Sequence, residues 1–409
     1  MNHAQPDTAF LHPIEALIRS DLAPAVQAID QEGRYPEGFL RKLGALGGFS
    51  AALPAESGGL GLTLAEQIDV TTRVGAECGS TAFLVWCQSS CGWYLQHSPN
   101  PAVRERYLKD VAQGRLLAGT GMSNAVKHLA GIEKIHLRAR REGGGYVVNG
   151  SLPWVSNVGE GHLAIVAAAV EGEGYIMFAV PGDAEGFEYR PCLEFCGLEG
   201  TQTLTLRFRD VSVPAADVVA HPDQFESYIR RIKPGFVLGQ TGMGFGIVQA
   251  CLDIMRDSNA ASSHVNVFLD DQEDELASGL SRLRNEAAGL ARQTQQGQAA
   301  VLPTLKLRAA ASELTLRAAN SAVLHAGAKG YLMIHPAQRR LREAVFVAIV
   351  TPALKHLRKE IQAIEAAQGG STQSASGAAQ PATAQTAAQR PATAWPGAAR
   401  PDQPAAAHG

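Results

Sequence analysis

Few side chains in this sequence combine a reactive type with a suggestive spacing, and most of those have an ordinary explanation. Cys87 and Cys91 stand four apart, as do Cys192 and Cys196. That spacing can set two thiols on one helix face, but no histidine cluster completes a tetrahedral metal site. Apolar, buried cysteines are common, so no metal is expected. His128, His264 and His325 could each act as a base, against the commoner role of a partly buried, satisfied imidazole. Gly58-Gly59-Leu60-Gly61 has no Gly-Lys-Ser/Thr behind it and no strand before it, so it reads as a loop and not a phosphate cradle. Gly242, Gly244 and Gly246 suit close helix packing better than approach to a ligand. The most informative stretch is Leu152-Pro153-Trp154-Val155-Ser156-Asn157. An indole and a hydroxyl at a strand end are costly to bury without partners. A flat heteroaromatic ligand would use both; a β-domain core would use only the indole.

The elements that must position these residues follow from hydrophobic period. Residues 8 to about 115 carry apolar side chains at three and four spacing, as in Phe39-Leu40-Arg41-Lys42-Leu43, and are expected to be helical. From about 116 to 220 the pattern is that of strands. Tyr146-Val147-Val148 precedes an Asn149-Gly150 pair that reads as a hairpin turn; 164–170 and 175–180 are β-rich; Leu204, Leu206 and Phe208 alternate with polar residues. Helical spacing returns at about 234. The expected organisation is α+β and multidomain: an all-α unit over 1–115, a β-barrel-like unit over 116–220, a helical bundle over 221–366, and a disordered tail over 367–409. The tail is Ala, Pro, Gln, Ser, Thr and Gly with Trp395 its single aromatic, too little apolar area to offset the entropy of ordering it.

Composition narrows the function. The chain has 409 residues, 45% hydrophobic and 18% charged, with a formal net charge of −3. There is no basic excess to neutralise phosphates, so no nucleic acid is expected. No apolar run approaches the ~20 residues that span a bilayer, and the start Met1-Asn2-His3-Ala4-Gln5-Pro6 lacks the pattern of a leader. Six cysteines are too few for a disulfide scaffold. A cytoplasmic, water-soluble enzyme with a small-molecule substrate is the expectation.

Three groups of residues, in order along the chain, resemble the acyl-CoA dehydrogenase superfamily over about residues 8 to 365. The first is Ile29-Asp30, Tyr35-Pro36 and Leu53-Pro54-Ala55-Glu56-Ser57-Gly58-Gly59-Leu60-Gly61. The second is Gly145-Tyr146-Val147-Val148-Asn149-Gly150 followed by Trp154-Val155-Ser156-Asn157. The third is Gly327-Ala328-Lys329-Gly330-Tyr331, His335-Pro336 and Arg342-Glu343-Ala344. The resemblance implies a helical domain, a β-barrel-like domain, a C-terminal four-helix bundle, bound FAD, an acyl-CoA or related substrate, and a homodimer or homotetramer. By the same resemblance Met122 and Ser123 contact the pyrimidine end of the flavin, Trp154, Val155 and Ser156 cover the isoalloxazine, and Gly327 and Ala328 reach the adenosine half in a neighbouring subunit. A face bearing Ala309, Leu314, Leu316 and Val323 is expected to be left for that neighbour.

The chain also departs from the family pattern. Ser262-Ser263-His264-Val265-Asn266 stands where the family has its diphosphate-binding Arg-x-x-Phe-Gly, and Ser123-Asn124-Ala125-Val126-Lys127 replaces Thr-Glu-Pro-x-x-Gly-Ser-Asp. The position of the family's catalytic Glu falls on Thr351. A hydroxyl is no useful base for a proton α to a thioester. Three functions are therefore expected as alternatives: oxidation of an acyl-CoA at its CH–CH group, flavin-dependent monooxygenation or other base-free flavin chemistry, and a non-catalytic flavin-binding or structural subunit.

Overall fold

A computed structural model describes residues 9–298 and 300–373. The N-terminal helices are α1 (Leu11–Leu17), which runs on through one π turn and one 3-10 turn into α2 (Val26–Gln31), then α3 (Glu37–Ala45), α4 (Leu64–Glu77), α5 (Gly79–His97) and α6 (Pro101–Ala112). Their starts follow local chemistry. Thr63 caps α4 in a reciprocal box with Glu66, and Asn100 caps α6 ahead of Pro101. α5 is apolar all round and buried along most of its length, as a central helix must be.

The middle of the chain holds β1 (Ala118–Thr120), α7 (Ser123–Leu129), β2 (Arg138–Glu142), β3 (Gly145–Val155), β4 (Leu163–Val170), β5 (Gly174–Pro181), β6 (Phe187–Pro191), β7 (Leu204–Val213) and β8 (Val218–Ala220). The sheet order is β6-β7-β3-β2-β4-β5-β8, with β1 beside β4. Inward residues such as Val148, Val166, Phe178 and Phe208 form its own core. Two expectations are corrected here. Asn149-Gly150 is not a hairpin turn. It is a bulge inside β3, where the register to β7 shifts between Val148 and Gly150, and Asn149 exchanges two 2.9 Å hydrogen bonds with Asp210. The hairpin turns one step earlier, at Gly143-Gly144. And Ser123–Leu129, inside the stretch read as β, is a helix.

The C-terminal helices are α8 (Pro222–Gly239), α9 (Thr241–Asn266), α10 (Glu273–Gln295), α11 (Val301–Ala326), α12 (Pro336–Ile349) and α13 (Leu354–Gln373). α8 starts at Pro222, inside the unit expected over 221–366 but twelve residues before helical spacing becomes legible in the sequence. Phe225, Tyr228, Ile232 and Phe236 are its buried stripe, and Pro234 within it hides the period. The indoles of Trp93 and Trp86 donate to the Ile232 and Phe236 carbonyls on either side of that proline. α9 to α12 form the four-helix bundle. Gly242 and Gly246 of α9 lie against α4, where an added Cβ would stand 2.7 Å from the Ile68 carbonyl oxygen and 2.4 Å from that of Thr72; the packing role of this glycine run is thereby established. The apolar span Pro222–Asn266 is 89% buried in its most apolar window, as a core helix pair should be.

Two further expectations change. α13 continues through Gln373, into the start of the proposed tail; Ala366, Ala367 and Gln368 are good helix formers and extend it. The rest of that tail lies outside the described residues. Of the face expected to be left for a neighbour, Ala309 and Leu314 are instead buried inside the bundle at 7% exposure, while Leu316 and Val323 are half-buried. Exposed apolar side chains gather elsewhere, at Val265, Val267 and Phe268 around the C-terminal end of α9 and at Tyr331, Leu332, Met333 and Ile334 before α12.

Candidate active site

Two cavities meet where the sheet faces α8, α12 and α13. The first, about 420 Å³, has one wall from the end of β3, with Trp154 and Ser156, and from the segment just before β7, with Thr201 and Thr203. Its opposite wall comes from α12 and the turn after it, with Arg342, Phe346, Ile349 and Thr351. Phe83 and Trp86 of α5 close its floor; Phe83 stacks on Trp86 and sits edge-on to Phe346, 4.6 Å between ring centroids. The second cavity, about 320 Å³, is lined by Tyr94, Met122, Val126, Ile229, Ile232 and Val237, with Lys233, His356, Lys359 and Glu360 also on its wall. Lys127 and Phe236 line both.

The sheet-side wall is held in an unusual backbone. Trp154, Asn157, Leu198 and Gln202 all have positive φ, between 47° and 65°, without being glycine. Such residues are costly and persist only where surroundings fix them. Here they are fixed. Tyr35 Oη donates to Asn157 Oδ1 at 2.6 Å, Asn157 Nδ2 donates to the Ala118 carbonyl at 2.8 Å, and the Asn157 N–H donates to the Thr201 carbonyl at 3.0 Å. Trp154, three residues before Asn157, is 64% exposed and lines the cavity with its indole. Behind it, Ser156 Oγ lies 2.5 Å from Thr203 Oγ1, which lies 2.8 Å from Thr201 Oγ1.

On the facing wall Thr351 is 8% exposed, and its hydroxyl lies 2.7 Å from that of Ser123 at the start of α7. α12 ends at Ile349, and Pro352 follows Thr351. Arg342 anchors this wall to the N-terminal helices through Asp30, at 2.5 and 2.8 Å. Glu343 takes the other direction, accepting from the Gly79 N–H at the head of α5 and from Arg339 and Arg340. The separate motifs are thus joined in pairs, Ile29-Asp30 with Arg342-Glu343 and Tyr35-Pro36 with Trp154 to Asn157.

Lys127 stands four residues after Ser123 on α7, one turn along the same face. Its ammonium holds Glu133 at 2.8 Å. Burial works to raise the Glu133 carboxyl, but the Lys127 and Asn124 hydrogen bonds hold it below the usual range. Burial, together with Lys355 and Lys127, lowers His356 beneath the ordinary imidazole value, so its ring is neutral at pH 7. Among the described residues Glu360 is the one carboxylate lining either cavity, and it is paired with Lys233.

Of the residues singled out from sequence, Trp154, Ser156, Ser123 and Thr351 come together around the first cavity. Met122 lines the second. Val155 is 1% exposed and its side chain packs in the sheet core. Gly327 and Ala328 are exposed on the turn after α11 and line neither cavity. His128 bonds Tyr175 Oη and the Glu133 carbonyl, His264 is exposed, and His325 is buried against Ser321; none of them lines either cavity. Lys127, His356, Thr203 and Phe236 do, and were not legible beforehand. The i, i+4 relation of Ser123 and Lys127 would have been the signal, had that stretch been read as helix. No group of three metal-ligating side chains occurs among the described residues.

The chain is similar to acyl-CoA dehydrogenases over most of its length. Residues 6–115 match the family description "Acyl-CoA dehydrogenase, N-terminal domain", and residues 127–211 match "Acyl-CoA dehydrogenase, middle domain". A probable acyl-CoA dehydrogenase of Bacillus subtilis (strain 168) is 26% identical over 359 residues, covering 82% of this chain and 91% of the relative. The mitochondrial isovaleryl-CoA dehydrogenase of Bos taurus is 24% identical, covering 81% of each chain. In fold, the butyryl-CoA dehydrogenase of Megasphaera elsdenii superposes with a TM-score of 0.80 at 20% identity, covering 91% of this chain and all of the other.

Proposed function

Because this chain belongs to the acyl-CoA dehydrogenase superfamily and is an oxidoreductase of that fold, we propose that it binds FAD in the first cavity and an acyl-CoA thioester in the second. The observation that carries this is the pair of adjoining cavities that share Lys127 and Phe236, with the Ser123–Thr351 hydroxyl pair on the wall of the first. The first suits a flat ring system. It offers an exposed indole to stack on, a row of hydroxyls from Ser156, Thr203 and Thr201 for a polar ring edge, and apolar side chains opposite. The second suits an apolar chain that ends in anionic groups, with aliphatic walls and the cations of Lys127, Lys233 and Lys359. Bound FAD supplies two-electron redox chemistry that side chains cannot.

The protein's own part is placement. Trp154 and the aromatic floor exclude water from the ring, and the shared wall sets the thioester beside it. Lys127 has three donors and spends one on Glu133, leaving donors for a substrate oxygen. Thr351 polarises or shapes this point and takes no proton.

Oxidation of the acyl group at CH–CH is the first form of this reaction. The second is base-free, oxygen-dependent chemistry by reduced flavin, and the carboxylate-free lining of the first cavity favours it. Anaerobic addition of a series of acyl-CoAs to the FAD-loaded protein separates the two. Bleaching of the flavin supports dehydrogenation; no bleaching, but oxygen uptake when reduced flavin and substrate are both supplied, supports oxygenation. Failure to take up flavin in either redox state would refute both. We also propose a homodimer or homotetramer, supported by the exposed apolar side chains of residues 265–268 and 331–334; a monomeric mass in solution would refute that.

A further inference from the structure

Arg308, on α11, is the largest fully buried side chain among the described residues, with 0% exposure. A guanidinium taken out of water is usually compensated by a carboxylate. Arg308 has none. Its bonds run to neutral acceptors only: Nε to Gln240 Oε1 at 2.9 Å, Nη2 to the Val347 carbonyl at 2.6 Å, and Nη1 to Ser312 Oγ. Desolvation lowers its pKa to about 10, which still leaves it charged at neutrality. A bundle that needed only stability would be served as well or better by a well-packed apolar residue here.

The partners show what the charge does. Val347 lies in the last turn of α12, where backbone carbonyls have no helical N–H to accept from, and a cation there also opposes the negative end of the helix dipole. Gln240, itself fully buried at the junction of α8 and α9, turns its other amide atom to the chain just beyond α12 and donates to the Thr351 carbonyl at 2.8 Å. Thr351 in turn meets Ser123 across the cavity wall. One side chain therefore grips both the end of α12 and, through Gln240, the residue that follows it into the wall.

We infer that Arg308 is a positioning residue for this site: by capping α12 at Val347 and orienting Gln240 onto the Thr351 carbonyl, it sets where the Thr351 hydroxyl stands on the wall of the first cavity. The inference rests on assigning those cavities to flavin and acyl chain, and its test is built to fail separately from that assignment.

Gln240→Glu is the decisive variant. It gives Arg308 a carboxylate at the same place but replaces the donor to Thr351 with an oxygen that repels its carbonyl. A purely structural role predicts equal or higher thermal stability and an unaltered site. The positioning role predicts equal or higher stability together with amide exchange at Val350, Thr351 and Ala353 faster by about tenfold or more, exchange elsewhere unchanged, and a shifted visible spectrum of added FAD. Arg308→Lys, which keeps the charge but cannot span Gln240 and Val347 at once, is expected to show the same local loosening and the same spectral shift. Exchange and spectra like the parent's in both variants would overturn the inference. So would failure of both to fold, because the network would then be holding the bundle and not the wall. If the parent chain takes up no FAD, the cavity assignment falls, and the exchange measurement alone decides for or against Arg308.

Discussion

The Thr351 hydroxyl lies 2.7 Å from the Ser123 hydroxyl, joining the turn after α12 to the first residue of α7 on the wall of the first cavity. On the function proposed above, two neutral oxygens occupy the point at which a carboxylate would be needed to remove a proton from a substrate. Restoring that carboxylate is the most direct test. Thr351→Glu places an acceptor within reach of the Ser123 donor, and acyl-CoA-dependent dye reduction under anaerobic conditions is expected to rise by about 10²-fold or more, the scale of general-base catalysis. A folded, flavin-loaded variant with no gain would show that the surrounding geometry serves other chemistry.

Trp154 tests the ring site without disturbing the fold. Its side chain is 64% exposed, so Trp154→Ala removes little core packing. Thermal stability without flavin should change by less than about 0.5 kcal/mol. FAD affinity, measured by fluorescence titration, should fall about tenfold, near the value of one aromatic stacking contact. Equal affinity in the variant would remove Trp154 from the site.

Glu343 gives a pH dependence with a definite sign. Burial acts to raise its carboxyl, but Arg339 and Arg340 outweigh that and hold it below the usual value. A folded-state value below the unfolded one, about 4.3, means the contribution to stability is full above that pH and is lost as pH falls through the folded value. The parent chain should therefore weaken steeply below about pH 4 in urea unfolding. Glu343→Gln should be less stable at pH 7 by about 3 kcal/mol, since it leaves two arginines short of a partner, and should lose much of the acid dependence. An unchanged acid limb would show that other carboxylates set it.

Gly246 tests the contact between α9 and α4. An added Cβ would lie 2.4 Å from the Thr72 carbonyl oxygen and 2.5 Å from the Ala76 nitrogen, both backbone atoms. The helices must part, and Gly246→Ala is expected to cost about 1–3 kcal/mol, the usual range for overpacking. Thermal unfolding reads this directly; a variant as stable as the parent would mean that the two helices are not in such close contact.

Much about this protein was determined by its sequence alone, because local patterns act over a few residues. Helical spacing marked α3 and α9 to α12, alternation marked β7, and the order of the Leu53 to Gly61, Trp154 to Asn157 and Gly327 to Tyr331 segments pointed to the superfamily. Threonine at position 351 can itself be no general base, since that follows from residue type; that this position faces the substrate is part of the function proposed above. Other features depended on contacts between distant segments. Asn149-Gly150 has the composition of a turn, and it is pairing with Asp210 on β7 that makes it a bulge. Pro234 breaks a local period, and the indoles of Trp86 and Trp93 allow the helix to continue past it. Lys127 and His356 belong to the cavity only because α7 and α13 meet there. Arg308 was invisible as anything but a charge on a helix. Its place at the root of the Thr351 wall arises from burial and from the mutual orientation of α8, α11 and α12, which no spacing along one helix encodes.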